Sequence, residues 1–189
     1  MNVEISESAT LPTKHGIFSA QAFREADKDH LLIRTKRLDC AAPLVRIHSE
    51  CLTGDALFSR KCDCGEQLRM AMKMIAQEGC GAILYLRQEG RSIGLFNKIN
   101  AYALQDRGFD TIEANHQLGF KADERTYEIA EYMLEHLGVK AIRLLTNNPA
   151  KIESFTKVEI VERVPLIVKP NRYNKGYLKV KKDKGGHLL

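Results

Sequence analysis

The stretch EQLRMAMKMIAQEGCGAILYL (residues 66–86) changes period in its middle. In the first half Leu68, Ala71, Met72 and Ile75 recur at helical spacing, which puts all four on one face. Gly79 and Gly81 end that run. AILYL (82–86) is then a short apolar run of the kind buried on both faces of a sheet. A helix feeding a buried strand is the unit of an α/β layer protein, and the alternation continues downstream. IGLFNKINAYALQDRG (93–108) reads as a helix stopped by Gly108, on which Leu95, Ile99 and Tyr102 form the core face. DERTYEIAEYMLEHLG (123–138) reads as another, with Ile129, Met133 and Leu137 on one face and Gly138 as its stop. AIRLL (141–145) is a strand, NPAKIESFTK (148–157) a helix with Pro149 at its first position, and EIVERVPLIV (159–168) a strand. Upstream, GIFSAQAF (16–23), HLLIRT (30–35) and PLVRIHS (43–49) read as strands. The expected fold is α/β: a mixed sheet flanked by helices, with a β-rich N-terminal part, in a single compact domain.

The bulk numbers narrow the class. At 44% hydrophobic and 28% charged, the composition is that of an ordinary soluble globular protein. No apolar run approaches the roughly 20 residues needed to cross a bilayer, so no membrane partner is expected. The N-terminus, MNVEISESAT, is polar and acidic, unlike a signal peptide. Five cysteines in such a chain suggest the reducing cytoplasm. Residues 169–189 carry seven lysines and arginines against one aspartate, which more than accounts for the net charge of +5. The basicity therefore belongs to a tail, expected to be solvated and mobile, appended to a near-neutral body over 1–168. No nucleic-acid partner is expected from a body of that charge without an aromatic ladder.

Chemistry is concentrated in ECLTGDALFSRKCDCGEQL (50–68). Cys51, Cys62 and Cys64 lie among charged residues and glycines, not in an apolar run. Their spacing does not match a zinc finger, which uses four ligands in two close pairs. Cys62 and Cys64 can meet one ion if the backbone turns, which Gly65 would permit. Three thiolates leave one corner of a tetrahedral Zn²⁺ open, the mark of a catalytic site. Cys40 and Cys80, with apolar or glycine neighbours, read instead as small buried hydrophobes.

Three cations sit where helices begin: Arg91, Arg125 and Lys151. A cation at a helix N-terminus is unfavourable by a few tenths of a kcal/mol, so three of them imply bound anions, and phosphates suit such ends. Asp123 by itself reads as an N-cap. His48 and His116, the latter in a polar loop, suit either a base or a plain hydrogen-bonding role. From the residues alone the inference is a phosphorylated substrate hydrolysed at a Zn²⁺ centre.

Seven segments carry a resemblance: RIHSECLTGDALFSRKCDCGEQL, RQEGRSIGL, YALQDRGFDTIEANHQLGF, ADERTY, LLTNNPAKIE, VERVPL and GGHLL. Together they resemble the GTP cyclohydrolase II family, over essentially the whole chain from Leu11. The resemblance implies conversion of GTP to 2,5-diamino-6-(5-phospho-ribosylamino)pyrimidin-4-one, formate and diphosphate, the first committed step of riboflavin biosynthesis. It implies one Zn²⁺ per chain on Cys51, Cys62 and Cys64, Mg²⁺ with the triphosphate, and a homodimer. It makes Arg125 the nucleophile at the α-phosphate, Asp123 its proton acceptor and Tyr102 an assistant at the guanine ring. It places GTP contacts on Arg46, Ile47, His48, Ser49 and Glu50, on Gln67, on Glu89, Gly90 and Arg91, and on Thr111, Thr146 and Lys151. Two features depart from the family pattern: the segment between Phe155 and Val161 is about two residues short and lacks a glycine, and Ser92 replaces an asparagine.

Overall fold

A computed structural model describes residues 1–188; Leu189, the end of the tail and of the GGHLL motif, lies outside them. The β-rich start is antiparallel. β1 (Val3–Ile5) and β2 (Ala9–Thr13) both pair with β3 (Gly16–Glu25), which is long enough to hold β2 along its first half and β1 along its second. β4 (Lys28–Arg34) pairs with the same strand in antiparallel register. Phe18 and Phe23, of opposite parity on β3, fill the cores on opposite faces of the sheet.

The α/β part follows in the expected order. β5 (Leu44–Ser49) leads through a short α1 (Leu52–Asp55) into α2 (Cys64–Glu78), which ends at Gly79 in the left-handed conformation (φ 71°). β6 (Gly81–Leu86), α3 (Gly94–Gln105), α4 (Thr111–Gln117) and α5 (Glu128–His136) come next. β7 (Ala141–Leu145), α6 (Pro149–Glu153), β8 (Glu159–Val164) and α7 (Lys175–Asp183) complete the chain. The eight strands form one mixed sheet, in which β6, β5, β7 and β8 are parallel neighbours. α2 covers one face with Ala71 and Ile75, and α5 covers the other with Ile129, Ala130, Met133 and Leu134. Adjacent connections therefore leave β5 and enter β7 on opposite faces, and the strands' carboxyl ends open a crevice there, the usual ligand position in such sheets.

Several local expectations are corrected. α5 begins five residues after Asp123, because acidic side chains there hold the backbone extended: Glu124 takes the amide of Lys121 at 3.0 Å, and Asp123 that of Arg125 at 3.1 Å. Asp123 is thus no N-cap and Arg125 no first-turn residue. Residues 111–117, read as loop around His116, form α4, started by a capping box between Asp110 and Glu113. The inward face of α3 carries Lys98 and Ala101, while Leu95 and Ile99 are exposed. α6 stops at Glu153, and β8 stops before Pro165, which has no amide for the ladder. Gly65 is inside α2 and makes no turn; a side chain there would come within 2.1 Å of the Gly54 carbonyl. Cys40 and Cys80 are joined as a disulfide at the amino end of β6, away from the strand ends that form the crevice. They are not separate buried thiols. The basic tail folds as α7, with Leu178 and Lys181 buried.

Candidate active site

Strand alternation delivers the first residues. Leu44, Arg46 and His48 point to one face of β5, with Leu44 in the core and the two polar residues nearer the strand's carboxyl end. Ile47 points the other way into the opposite core, so its side chain does not reach the crevice; its carbonyl accepts from Lys151 Nζ at 2.7 Å. His48 stacks on Tyr85 of β6, and its Nε2 lies 3.1 Å from Asp55. It is buried in the floor of the cleft, which it helps to line.

Asp55 and Glu89 pin the thiol loop. Asp55 accepts from the amide of Cys51 (3.0 Å) and the hydroxyl of Tyr85 (2.8 Å). Glu89 accepts from the first amide of α1, at Leu52 (2.6 Å), from the Gly90 amide (2.8 Å), and from Lys98 Nζ (2.6 Å). The sulfur atoms of Cys51, Cys62 and Cys64 lie within 4.8 Å of one another, the first two 3.7 Å apart. Gly54 is required here: a Cβ would sit 2.8 Å from the Cys62 sulfur and 3.1 Å from that of Cys51. Hydrogen bonds from Cys62 and Cys64, with Lys98 Nζ donating at 3.1 Å, hold the Cys51 thiol far below its ordinary pKa. Three close sulfur donors, a space kept open by glycine and a cation against one sulfur suit a thiolate-bound Zn²⁺.

Beside the thiols the cleft is cationic. Arg46 is buried, donating to the Leu145 carbonyl (2.9 Å) and Gln67 Oε1 (2.6 Å), and burial pushes its pKa down to about 10. Lys151, on the first turn after the cap residue Asn148, is driven well below ordinary lysine by burial and by the charges of Arg46, Arg125 and Lys181. Burial works against the charge of Arg125, but Asp123 outweighs it: the carboxylate takes Nε at 2.8 Å and Nη2 at 2.5 Å, and the guanidinium pKa rises. Arg125 Nη1 also donates to Ser49 Oγ at 3.3 Å. Arg91 lies in a turn of positive φ (61°), with Ser92 at 71°, and its guanidinium holds the Ala122 carbonyl at 2.9 Å. Tyr102 stands beside Lys98 and Lys61, its hydroxyl pushed by burial up to about 12 and so protonated at neutral pH.

Ser49, Glu50, Gln67, Gly90, Thr111 and Thr146 line this cleft with the thiols, Tyr102, Glu89 and the cations. Asp123 does not line it; it stands half exposed behind Arg125. His116 is exposed on α4, outside the cleft. Sequence reading missed Lys98, Tyr177, Lys181 and His187, all of which line it. The only sign of Lys98 was a lysine three residues after Leu95 and four before Tyr102, within the face expected to be core.

The family model for GTP cyclohydrolase II matches residues 4–165. The chain is 57% identical over 189 residues to GTP cyclohydrolase-2 of Campylobacter hominis, covering 100% of this chain and 97% of that one. It is 57% identical over 191 residues to GTP cyclohydrolase-2 of Helicobacter pylori (strain Shi470), covering 99% and 98%. To GTP cyclohydrolase-2 of Shewanella sp. (strain W3-18-1) it is 53% identical over 194 residues, covering 100% and 96%. Among solved structures it is similar to a two domain 3,4-dihydroxy-2-butanone 4-phosphate synthase from A. baumannii, at 18% identity and TM-score 0.49, over 86% of this chain and 40% of that one. A family match across most of the chain, with relatives more than half identical along their whole length, means that the chain belongs to the GTP cyclohydrolase II family.

Proposed function

We propose that this GTP cyclohydrolase of riboflavin biosynthesis works in the cleft at the ends of β5, β6 and β7, with one Zn²⁺ held by Cys51, Cys62 and Cys64. The observation that carries the reading is the juxtaposition of three sulfur donors and a group of buried cations in one cavity. The products separate in the same way: formate comes from the guanine ring, diphosphate from the triphosphate. Bound zinc supplies Lewis acidity for hydrolytic ring opening. The chain's own groups do the rest. Tyr102, kept protonated, donates at the ring. Gln67, Glu50, Gly90 and Thr111 line the nucleotide's path. Arg46, Arg91 and Lys151 take the phosphates, with Ser49 and Thr146 beside them and Mg²⁺ entering with the triphosphate. Arg125, clamped by Asp123, stabilises charge at the α-phosphate; so strong a clamp favours a protonated guanidinium over a covalent nucleophile. Incubation with GTP and Mg²⁺ should yield formate and diphosphate in equal amounts, and diphosphate without formate would sink the zinc assignment.

Lys151 gives a pH signature. Its pKa is depressed in the free protein, and a bound triphosphate would raise it again by opposite charge. Between those two values GTP binding therefore takes up a proton, and affinity falls as pH rises toward ordinary lysine. Titration calorimetry at a series of pH values below the ordinary lysine range, in buffers of different ionisation enthalpy, should show this uptake, and Lys151→Met should lose it. Binding heats that do not change with buffer refute the role.

We also propose a homodimer in the cytoplasm. Leu95, Phe96 and Ile99 leave an apolar face of α3 uncovered, with Phe96 at 80% exposure; a monomer in sedimentation would refute the dimer. No helix among the described residues is long and apolar enough to cross a membrane. A reducing cytoplasm would keep Cys40 and Cys80 as thiols, and finding the pair oxidised in protein trapped directly from cells would argue against that compartment.

A further inference from the structure

The C-terminal segment lies beyond the family match, yet it forms a wall of the cleft. It is tied down at separated points. Asn171 donates to the Arg60 carbonyl (3.3 Å), Lys184 pairs with Asp110 at the cap of α4, and the Leu188 amide donates to the Asn147 carbonyl (2.8 Å). On α7, Tyr177 and Lys181 are one turn apart and share a face toward the cleft, while Lys175, Lys179 and Lys182 face solvent.

Lys181 is 9% exposed and donates to Asp63 Oδ1 at 2.8 Å. Asp63 stands between the thiols Cys62 and Cys64, with its side chain 2% exposed. A carboxylate so buried and so placed needs a cation, and among the described residues Lys181 is the one paired with it. The other oxygen of Asp63 accepts from Gln67 Nε2 at 2.6 Å, and Gln67 Oε1 accepts from Arg46 Nη2 at 2.6 Å. A continuous polar chain thus runs from the tail, past the thiol loop, to a buried cation on β5.

We propose that residues 171–188 close the nucleotide pocket and that Lys181 is a positioning residue, fixing Asp63 in the thiol loop and, through Gln67, aiming Arg46 at the substrate anion. This rests on reading the cleft as the GTP site. The test uses the full-length, zinc-loaded protein with Lys181→Met, Lys181→Arg and, as a solvent-face control, Lys182→Met. Lys181→Met should weaken GTP binding at least about tenfold and release zinc faster to a chelator, Lys181→Arg should regain most of both, and Lys182→Met should match wild type. Equal GTP affinity in Lys181→Met and wild type overturns the proposal. Failure of wild type to bind GTP would instead overturn the reading of the cleft. If Lys181→Met does not fold, wild type decides. Trypsin cleavage after Lys182 and Lys184 should be slowed about tenfold or more by GTP, and equal rates with and without GTP overturn the closing role.

Discussion

Cys64→Ser protein, folded and purified without loss of its helices, should release no measurable formate from GTP. Sulfur-to-oxygen exchange leaves the size of the side chain nearly unchanged but replaces a thiolate ligand with a neutral hydroxyl. Loss of a residue that only supports a metal ligand already weakens binding about 10- to 100-fold, so loss of a ligand should leave formate release below about one hundredth of wild type. Cys64 is the first residue of α2, and its sulfur lies within 4.8 Å of the other two. Two cations of the cleft, Arg125 and Lys151, keep their partners in this variant. Arg125 is held by Asp123, and Lys151 by the Ile47 carbonyl, neither of which touches the thiol loop. Some conversion of GTP to GMP and diphosphate should therefore persist. Formate followed by a dehydrogenase assay and diphosphate by a pyrophosphatase-coupled assay separate the two. Diphosphate lost as completely as formate would mean that the thiol centre also holds the triphosphate or the loop around it.

Arg125→Ala should do the reverse, cutting diphosphate release about 10³-fold while zinc stays bound, in keeping with the worth of an arginine at a phosphoryl-transfer transition state. The side chain is mostly buried, and removing it strands Asp123 without its guanidinium. Asp123→Asn is therefore the informative companion. It keeps the hydrogen-bonding shape but removes the charge that holds Arg125 in place, so it should lose less than Arg125→Ala. If Arg125→Ala releases diphosphate at the wild-type rate, the α-phosphate is handled elsewhere in the cleft. Formate measured in Arg125→Ala then orders the steps: a covalent nucleotidyl intermediate formed first requires formate to fall with diphosphate, whereas charge stabilisation alone leaves ring opening in place.

The sequence alone determined the order of layers and the composition of the site. Helical spacing from Leu68 to Ile75, glycine stops and short apolar runs are local signals, and the elements they mark form within a few residues of the expected limits. The cysteines were legible as thiols in a polar loop, and Lys151 as positive charge where a helix begins; Arg125 lines the cleft too, but from an extended segment three residues before α5. What failed locally was settled by contacts from far along the chain. The helix at 123 starts late in part because the Glu124 amide is drawn to the carbonyl of Arg91, 33 residues earlier. The face of α3 turns over because Lys98 is held inward by Glu89 and Cys51, leaving Leu95 and Ile99 outside. Gly54 looks like any loop glycine until three cysteines close around it. The tail reads as solvated charge until Asp63, 118 residues away, gives Lys181 a buried partner. Such pairings depend on distance in space between residues remote in sequence, and neither periodicity nor composition carries that distance.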